Sequence, residues 1–265
     1  MDKTILLTDA SASEFWEKHA QYLQRDIFPN DGEPLTDEDR AYFSSDEYRG
    51  QIDNLCTREI DPGRRVFFEL GGERIGFCSY CFYRSEDCKC FLLDFCIYPA
   101  YRRQGYGTAC FAAIARRERQ ARYFELNVSG EESRSFWKRL GFRYNGYDEH
   151  GSILYTLLQQ PSGEVLCEQP REGDEWQLLR LQNGLAAQEG RPLLSERQQE
   201  QFLERCAAQP PLCAYCETRM VGVLCEGKVF IEPVQRGRGI AALLAEKAGV
   251  EACPEAEDCR FGETL

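Results

Sequence analysis

Long apolar runs are missing from this chain of 265 residues, whose net charge is −12. No stretch reaches the roughly 18 consecutive apolar residues that a membrane-spanning helix needs. The first nine residues also lack the apolar core of a secretory signal. We therefore expect a cytoplasmic protein. Because the chain is acidic, we expect neither nucleic acid nor an anionic membrane surface as a partner.

Histidine is scarce as well, with only two residues in the chain, His19 and His150. Neither lies in a recognisable constellation, so a catalytic triad or a histidine-based metal site is not expected. The Gly-Lys-Ser/Thr pattern of nucleotide-binding loops does not occur, and no third glycine completes a dinucleotide-binding fingerprint. These absences argue against a triad hydrolase, a histidine-based metalloenzyme, a Gly-Lys-Ser/Thr nucleotide-binding protein and a dinucleotide-binding dehydrogenase.

Cysteine, by contrast, is abundant, with 14 residues, which invites a metal or redox interpretation. Two pairs have C-x-x-C spacing, Cys78/Cys81 and Cys213/Cys216. The first pair lies in an apolar, aromatic-rich segment typical of a strand, whereas zinc knuckles place such pairs on tight turns. Free cysteines also pack as small apolar side chains. We predict buried thiols and no metal, with a cysteine-based metal or redox protein as a minor alternative.

The first 158 residues alternate helical and strand patterns, which predicts a mixed α/β (α+β) domain with antiparallel hairpins. The predicted strands are Thr4–Leu7, Arg65–Leu70, Arg74–Tyr83, Phe91–Ile97, Tyr123–Val128 and Ile153–Leu158. The predicted helices are Ser13–Ile27, one helix through Tyr42 and Leu55, Gly105–Arg119, and Glu131–Leu140 with Gly141 as its C-cap. The acidic segment Pro29–Asp39 is predicted to be a loop.

Residues 159–163 are polar and turn-forming, so we place a domain boundary there. A second, smaller domain is predicted over residues 165–265. Its pattern starts again with a strand at Val165–Cys167, helices at Asp174–Ala187 and Ser195–Ala207, and strands near Cys213 and Val221.

An internal repeat links the two halves. The sequence IYPAYRRQGYG at 97–107 shares Ile, Pro, Arg and Gly at identical offsets with IEPVQRGRGIA at 231–241. Similar tripeptides precede the two copies, Arg-Ile-Gly at 74–76 and Met-Val-Gly at 220–222. Because the spacing recurs, the motif is more than an isolated strand-to-helix turn.

The residue types of this motif suit phosphate binding. Gly105 and Gly107 let the backbone turn tightly and approach a ligand without a Cβ in the way. The following residues open a helix, where consecutive N–H groups and the helix dipole favour an anion. Arg102 and Arg103 add positive charge to an otherwise acidic chain. We predict that this turn binds a pyrophosphate.

The segment Leu93–Phe111 resembles the acetyl-CoA binding motif of the GNAT superfamily of N-acetyltransferases. The sequence FWKRLGF at 136–142 is similar to that superfamily's second signature, Phe-Tyr-x-x-x-Gly-Phe. The resemblance implies the GNAT acyl-CoA N-acyltransferase fold, a mixed and mostly antiparallel sheet with flanking helices, over residues 1–158. It also implies a tandem arrangement, with a truncated, degenerate GNAT-like copy over residues 165–265.

The same resemblance implies a set of site residues. The cofactor-binding residues are Phe95, Cys96, Ile97, Arg102, Arg103, Gln104, Gly105, Tyr106, Gly107, Thr108 and Trp137. The first three would pair with the pantetheine arm as an added strand would, and residues 102–108 would cradle the pyrophosphate. The strand 125–128 would diverge from its neighbour and open the cleft in which thioester and amine meet.

The reaction implied by the resemblance is attack of an amine on the thioester of acetyl-CoA. An amine with a pKa near ~10.4 is protonated at neutral pH, so the site needs a proton acceptor. Asp94 is the first candidate, because it is the only carboxylate on the motif strand, and Glu125 is the second. Two positions depart from the family: Trp137 replaces a tyrosine that often acts as the acid, and Gly130 replaces an asparagine.

We therefore predict an N-acetyltransferase that transfers an acetyl group from acetyl-CoA to a primary amine of a small molecule or peptide. The alternative is a catalytically inactive acyl-CoA-binding module, which Trp137 and Gly130 would mark. The second copy lacks the second signature. We expect it to shape the substrate pocket or a dimer interface, with one acetyl-CoA bound per chain; the resemblance leaves a homodimer and the acceptor amine open.

Overall fold

The computed structural model describes residues 4–29, 35–160 and 163–250. By its contacts the chain divides into two compact units, Met1–Phe142 and Arg143–Leu265, which we call unit 1 and unit 2. This division falls before the predicted boundary at residues 159–163, so the two predicted domain ranges stay a prediction. None of the helices in the described part of the chain is both long and apolar enough to cross a membrane.

Five strands of unit 1 lie side by side in the order β1-β2-β3-β4-β5. They are β1 (Leu6–Asp9), β2 (Gly63–Leu70), β3 (Glu73–Tyr83), β4 (Lys89–Ile97) and β5 (Tyr123–Asn127). Neighbours run antiparallel except β4 and β5, which are parallel. Residues 75–82 of the central strand β3 are all buried, because both faces of the sheet are covered. The predicted mixed, mostly antiparallel fold class is confirmed.

The helices of unit 1 are α1 (Ala12–Tyr22), α2 (Asp37–Phe43), α3 (Asp46–Thr57), α4 (Tyr106–Arg117) and α5 (Glu131–Arg139). The prediction of one helix through Tyr42 and Leu55 is wrong, since α2 and α3 are separate. Ser45 has an extended backbone, and its Oγ accepts a hydrogen bond from the Tyr48 N–H at 3.1 Å. A serine in this role starts a new helix rather than continuing the old one.

The prediction of a loop over Pro29–Asp39 is also wrong for its last three residues, which are helical. Thr36 and Asp39 form a capping box, in which each side chain accepts a hydrogen bond from the other residue's backbone N–H. This pair satisfies two donors at the start of a helix, so residues 37–39 are the first turn of α2. Residues 30–34 of the predicted loop lie outside the described residues.

Unit 2 begins with an antiparallel hairpin of β6 (Arg143–Tyr147) and β7 (Ile153–Leu158). The strand β6 was not predicted, because its centre, Asn145-Gly146, is typical of a turn. Four further strands form an antiparallel sheet in the order β11-β10-β9-β8. They are β8 (Val165–Glu168), β9 (Leu212–Cys216), β10 (Arg219–Cys225) and β11 (Lys228–Ile231). The helices are α6 (Glu175–Gln188), α7 (Glu196–Ala208) and α8 (Ile240–Ala248).

Both C-x-x-C pairs lie on strands, Cys78/Cys81 on β3 and Cys213/Cys216 on β9. Residues three apart on a strand point to opposite faces, and Cys213 and Cys216 accordingly belong to two different apolar clusters. Burial raises the pKa of Cys213 to about 12, so this thiol stays neutral at pH 7. Within the described ranges, no group of three or more His, Cys, Asp or Glu side chains could hold a metal ion.

Gly76 on β3 allows a close approach to β4. A Cβ at this position would collide with the backbone carbonyl oxygen of Cys96. We expect Gly76→Ala to lower the free energy of unfolding by about 3 kcal/mol, the upper end of the usual cost of overpacking, because a backbone atom cannot turn aside. Urea unfolding followed by circular dichroism measures the change.

Gly50 provides the matched control. It lies inside α3, and a Cβ added there would point into open space, away from every other part of the fold. Gly50→Ala is expected to raise the free energy of unfolding by up to about 1 kcal/mol, since alanine is the better helix former. A similar loss of stability in both variants would contradict the role assigned to the β3–β4 approach.

Candidate active site

A cleft of about 1200 Å³ lies in unit 1, beside the carboxyl end of β4. The parallel pairing of β4 with β5 spans Lys89–Leu92 of β4, so the strands separate beyond Leu92. Residues 92–97 all line the cleft. A strand end without a neighbour on one side offers its backbone donors and acceptors to an extended ligand.

A β-bulge lies at the point where the strands separate. On the antiparallel side of β4, Ser79 pairs with Asp94 and Tyr80 pairs with Leu92. Leu93 is therefore an extra residue on β4. Bulges bend a strand and re-aim its side chains, and here the bulge immediately precedes Asp94.

The helix α4 starts at the cleft, shortly after the end of β4. Arg103 and Gly105 precede it in left-handed conformations, with φ of 58° and 79°. No side chain caps the N-terminus of α4, so this helix end is open to an anion. A Cβ at Gly107 would lie 2.9 Å from the ring of Phe136. The glycines of the motif thus give a narrow turn, and Thr108 also lines the cleft.

The guanidinium of Arg102 is held by the protein itself. Its two Nη atoms donate to the carboxylate of Asp26 at 3.0 and 2.6 Å, and its Nε donates to the carbonyl of Ile97 at 2.7 Å. Burial alone would raise the pKa of Asp26, but hydrogen bonds from Arg25 and Arg102 outweigh it and lower the pKa. Arg102 therefore fixes the turn against the π-helical segment Leu23–Ile27 that follows α1, rather than presenting a free charge.

Of the other predicted cofactor-binding residues, some line the cleft and some do not. Arg103 lines the cleft and pairs with Glu132 at 2.5 Å. Trp137 lines it too, with its ring 5.1 Å from that of Phe95. Gln104 and Tyr106 are not among the lining residues; the Gln104 amide donates to a backbone carbonyl of the same turn at 2.8 Å.

Asp94 lines the cleft with only 9% of its surface exposed. Ser79 Oγ donates a hydrogen bond to its Oδ2 at 2.6 Å, and His19 Nε2 lies 3.3 Å from its Oδ1. Tyr22 and Tyr48 line the same cleft. Burial away from water is the main cause that raises the pKa of both tyrosines, and the negative charge of Asp94 is the second. Both therefore remain neutral hydrogen-bond donors at neutral pH.

Glu125, the second predicted base, lies inside β5. It is 3% exposed and pairs with Phe91 of β4. The cleft wall contains its neighbours Leu126 and Asn127 instead. The structure thus brings Asp94, but not Glu125, to the cleft.

Three residues near Asp94 were not predicted as part of the site: His19, Tyr22 and Tyr48. The expectation that both histidines lie outside any constellation is wrong for His19, which contacts Asp94. The available signal was weak, because His19 and Tyr22 are three residues apart on α1, on the face that also carries Phe15. Such an aromatic stripe is equally typical of a helix packed on a core.

Unit 2 shows local geometry like that of the turn at residues 102–108, which we call the cradle. Arg236 Nε donates to the carbonyl of Ile231 at 3.2 Å, as Arg102 Nε does to Ile97. Gly239 precedes α8 with a φ of 74°, in the way that Gly105 precedes α4. Asp94 lies three residues before Ile97. The residue three positions before Ile231, at the matching place in the repeat, is Lys228.

Residues 20–142 match the model of the acetyltransferase (GNAT) family. The matched range includes the cradle, Asp94 and both strands that border the cleft. The chain therefore carries a GNAT-family acetyltransferase domain. As a member of this family the domain is an acyltransferase, and its co-substrate is acetyl-CoA.

Several solved structures are similar to part of the chain. The PaiA N-acetyltransferase from Thermoplasma acidophilum in complex with coenzyme A is 15% identical, with 60% of this chain and 99% of that chain covered and a TM-score of 0.47. A spermidine N-acetyltransferase from Vibrio cholerae is 14% identical, with 60% and 95% covered and a TM-score of 0.44. The ribosomal-protein-S18-alanine N-acetyltransferase from Escherichia coli is 15% identical, with 60% and 97% covered and a TM-score of 0.41. A search of curated proteins found no match.

Proposed function

We propose that this domain transfers the acetyl group of acetyl-CoA to a primary amine of a small molecule or a peptide. The observation that supports it best is one cleft that joins the open end of β4, the uncapped N-terminus of α4 and the buried carboxylate of Asp94. Its volume of about 1200 Å³ exceeds the roughly 300–1,000 Å³ of common small-molecule pockets. That size suits a long ligand together with an acceptor.

In this proposal the protein binds acetyl-CoA mainly through its backbone. Residues 95–97 pair with the pantetheine arm as a neighbouring strand would. Gly105, Gly107 and Thr108 present the start of α4 to the pyrophosphate. Arg103 at the cleft wall adds a positive charge, since its ion pair with Glu132 is exposed to solvent and therefore weak. Arg102 shapes the turn through Asp26, and Trp137 supplies apolar wall. Acetyl-CoA, when bound, supplies the thioester to be attacked.

Asp94 acts as the proton acceptor for the amine. An ammonium group has no free electron pair, so it must lose a proton before its nitrogen can attack the thioester carbon. Asp94 is poised for this step because its carboxylate lines the cleft and is oriented by Ser79. Glu125, buried in β5, stays the second candidate.

The departing thiolate needs a proton or a hydrogen-bond donor. Trp137 cannot protonate it, since an indole N–H does not ionise in this range. The described tyrosines that line the cleft are Tyr22 and Tyr48, and both keep their protons because their pKa values are raised by burial and by Asp94. In the family a tyrosine often acts as the acid at the position of Trp137. We assign its role, donation of a proton or a hydrogen bond to the thiolate, to Tyr22 and Tyr48.

We further propose that residues 165–265 are a truncated GNAT-like copy that binds no acetyl-CoA. The copy is supported by the shared order of strands and helices and by the matched arginine and glycine geometry at Ile97 and Ile231. The absence of acetyl-CoA binding is supported by the lack of the second signature in residues 165–265. The absence of catalysis is supported by Lys228, which stands where the first copy has Asp94. A positive charge there cannot accept a proton from an ammonium group.

Calorimetry with acetyl-CoA tests the cradle. The intact protein is expected to bind one molecule per chain. Arg102→Glu/Gly105→Glu is expected to weaken binding by about 100-fold or more, because it places negative charge beside the pyrophosphate and forces a side chain onto a left-handed backbone position.

The second copy supplies the matched control, Arg236→Glu/Gly239→Glu. This variant makes the same chemical change outside the proposed site and is expected to bind acetyl-CoA within twofold of the intact protein. Circular dichroism checks that both variants are folded. Two binding sites per chain, or loss of binding in the control alone, would contradict the assignment.

A panel of amines tests the transfer reaction. Release of free CoA should require both acetyl-CoA and an amine, and mass spectrometry should find an acetylated product. Binding of acetyl-CoA without turnover of any amine or peptide would favour the inactive acyl-CoA-binding module, for which Trp137 and Gly130 are the supporting substitutions.

A further inference from the structure

We infer that His19 and Asp94 form a proton-accepting pair, in which His19 is a positioning residue that takes up a proton through Asp94. This inference rests on the proposed function. It is carried by the 3.3 Å separation of His19 Nε2 and Asp94 Oδ1 and by the burial of the imidazole, which is 2% exposed. His19 is not among the cleft-lining residues, so it reaches the substrate only through Asp94.

The proton balance of the reaction explains why a pair is useful. The attacking nitrogen starts as an ammonium group and ends as an amide, so it loses two protons while the new C–N bond forms and the C–S bond breaks. One proton ends on the CoA thiolate and the other in solvent. Asp94 accepts the first proton and passes it to His19 Nε2. The carboxylate is then free to accept the second, and the imidazolium later returns its proton through Asp94.

The orientation of His19 also points to a role beyond packing. Its ring stacks on the rings of Phe15 and Tyr48, with centroid distances of 5.5 and 6.1 Å. Its Nε2 is buried and makes no hydrogen bond among the described residues, although Asp94 Oδ1 lies 3.3 Å away. A buried polar atom without a hydrogen bond costs free energy and calls for an explanation. A site for a proton shared with Asp94 is such an explanation.

The groups that surround the pair do not compete for this proton. Tyr22 on α1, Tyr48 on α3 and Cys78 on β3 are the titratable neighbours that sense the charge of Asp94. The pKa of each of the two tyrosines is raised, mainly by burial and next by the negative charge of Asp94. Burial likewise dominates in raising the pKa of the Cys78 thiol. Ser79 contacts only the other carboxylate oxygen, Oδ2.

His19→Gln tests the inference, because glutamine has a similar size but cannot take up a proton. We expect kcat for amine acetylation to fall about 100-fold at pH 7, with the KM for acetyl-CoA unchanged within twofold. At pH 10 the deficit should shrink to about 10-fold, since roughly a quarter of an amine with a pKa near ~10.4 has then lost one proton already, against less than about 0.1% at pH 7. In the Asp94→Asn background, His19→Gln should cost less than twofold, because the two residues act as a unit.

Two variants separate this role from packing. Phe15→Leu alters the ring that stacks on His19 and should lower kcat by the same factor at pH 7 and pH 10. His150→Gln replaces the other histidine, whose side chain is 81% exposed, and should leave kcat unchanged. An equal deficit of His19→Gln at both pH values, or additive losses in the double variant, would overturn the inference.

A measurement without substrate keeps the inference apart from the proposed function. The ¹⁵N NMR signal of His19 Nε2 is assigned by comparison with His150→Gln, since the chain has only two histidines. If the protein acetylates no amine, the proposed function fails, but a His19 signal that changes in Asp94→Asn still supports the pair. An identical signal in both proteins overturns it.

Discussion

Asp94→Asn is expected to lower kcat for amine acetylation by about 1000-fold and to leave acetyl-CoA binding within twofold. Removal of a general base typically costs between about 10² and 10⁴ in rate. The loss should be large here, because the same change also removes the route to His19. Acetyl-CoA binding should persist, since the cradle uses other residues. Steady-state release of CoA at pH 7 and calorimetry measure the two quantities.

Glu125→Gln and Asp9→Asn are the controls for this prediction. Glu125 is the second candidate base and is buried away from the cleft wall, so its variant should lose less than fivefold in kcat. Asp9 has a 77% exposed side chain paired with Arg117, so its variant should match the intact protein. The reverse order, with Glu125→Gln the more damaging change, would make Glu125 the proton acceptor.

Glu232→Gln is expected to lower the free energy of unfolding by about 3–5 kcal/mol. The side chain of Glu232 in unit 2 is fully buried, and it forms ion pairs with Arg180 and Arg219 that are 3% and 6% exposed. Glutamine would leave two buried guanidinium groups without their counter-charge. Urea unfolding followed by circular dichroism measures the loss.

Glu226→Gln is the matched control for Glu232→Gln. Glu226 forms an exposed ion pair with Arg205, and such pairs are worth about 0–1 kcal/mol. A triple variant, Glu232→Leu/Arg180→Met/Arg219→Met, should recover much of the stability, because apolar groups of similar size often replace a buried ion cluster without loss. Equal losses from Glu226→Gln and Glu232→Gln would contradict the buried cluster's role.

Much of the fold could be predicted because its signals are local. The order of strands around Gly71-Gly72 and the helix start after Gly105 follow from residue types that sit next to one another in the chain. The errors have local causes as well. Ser45 starts a new helix inside a continuous helical pattern, and Asn145-Gly146 lies in a strand although the pair is typical of a turn.

The site divides in the same way. The left-handed turn at Gly105 and the open helix end that follows it were predicted, since both depend on a few consecutive residues; their role in binding acetyl-CoA stays a prediction. The ion pair of Arg102 with Asp26 was not predicted, because Asp26 lies far away in the sequence. No local pattern could show that pairing.

The sequence by itself determined that the chain has an acetyl-CoA motif on a mixed sheet and where Asp94 lies on the motif strand. Only the tertiary structure decided that Asp94 contacts His19 and faces Tyr22 and Tyr48. The physical reason is that backbone conformation depends on neighbouring residue types, whereas this group comes from two helices and a strand. Their side chains meet because the helices pack against the sheet, and packing depends on the whole core at once.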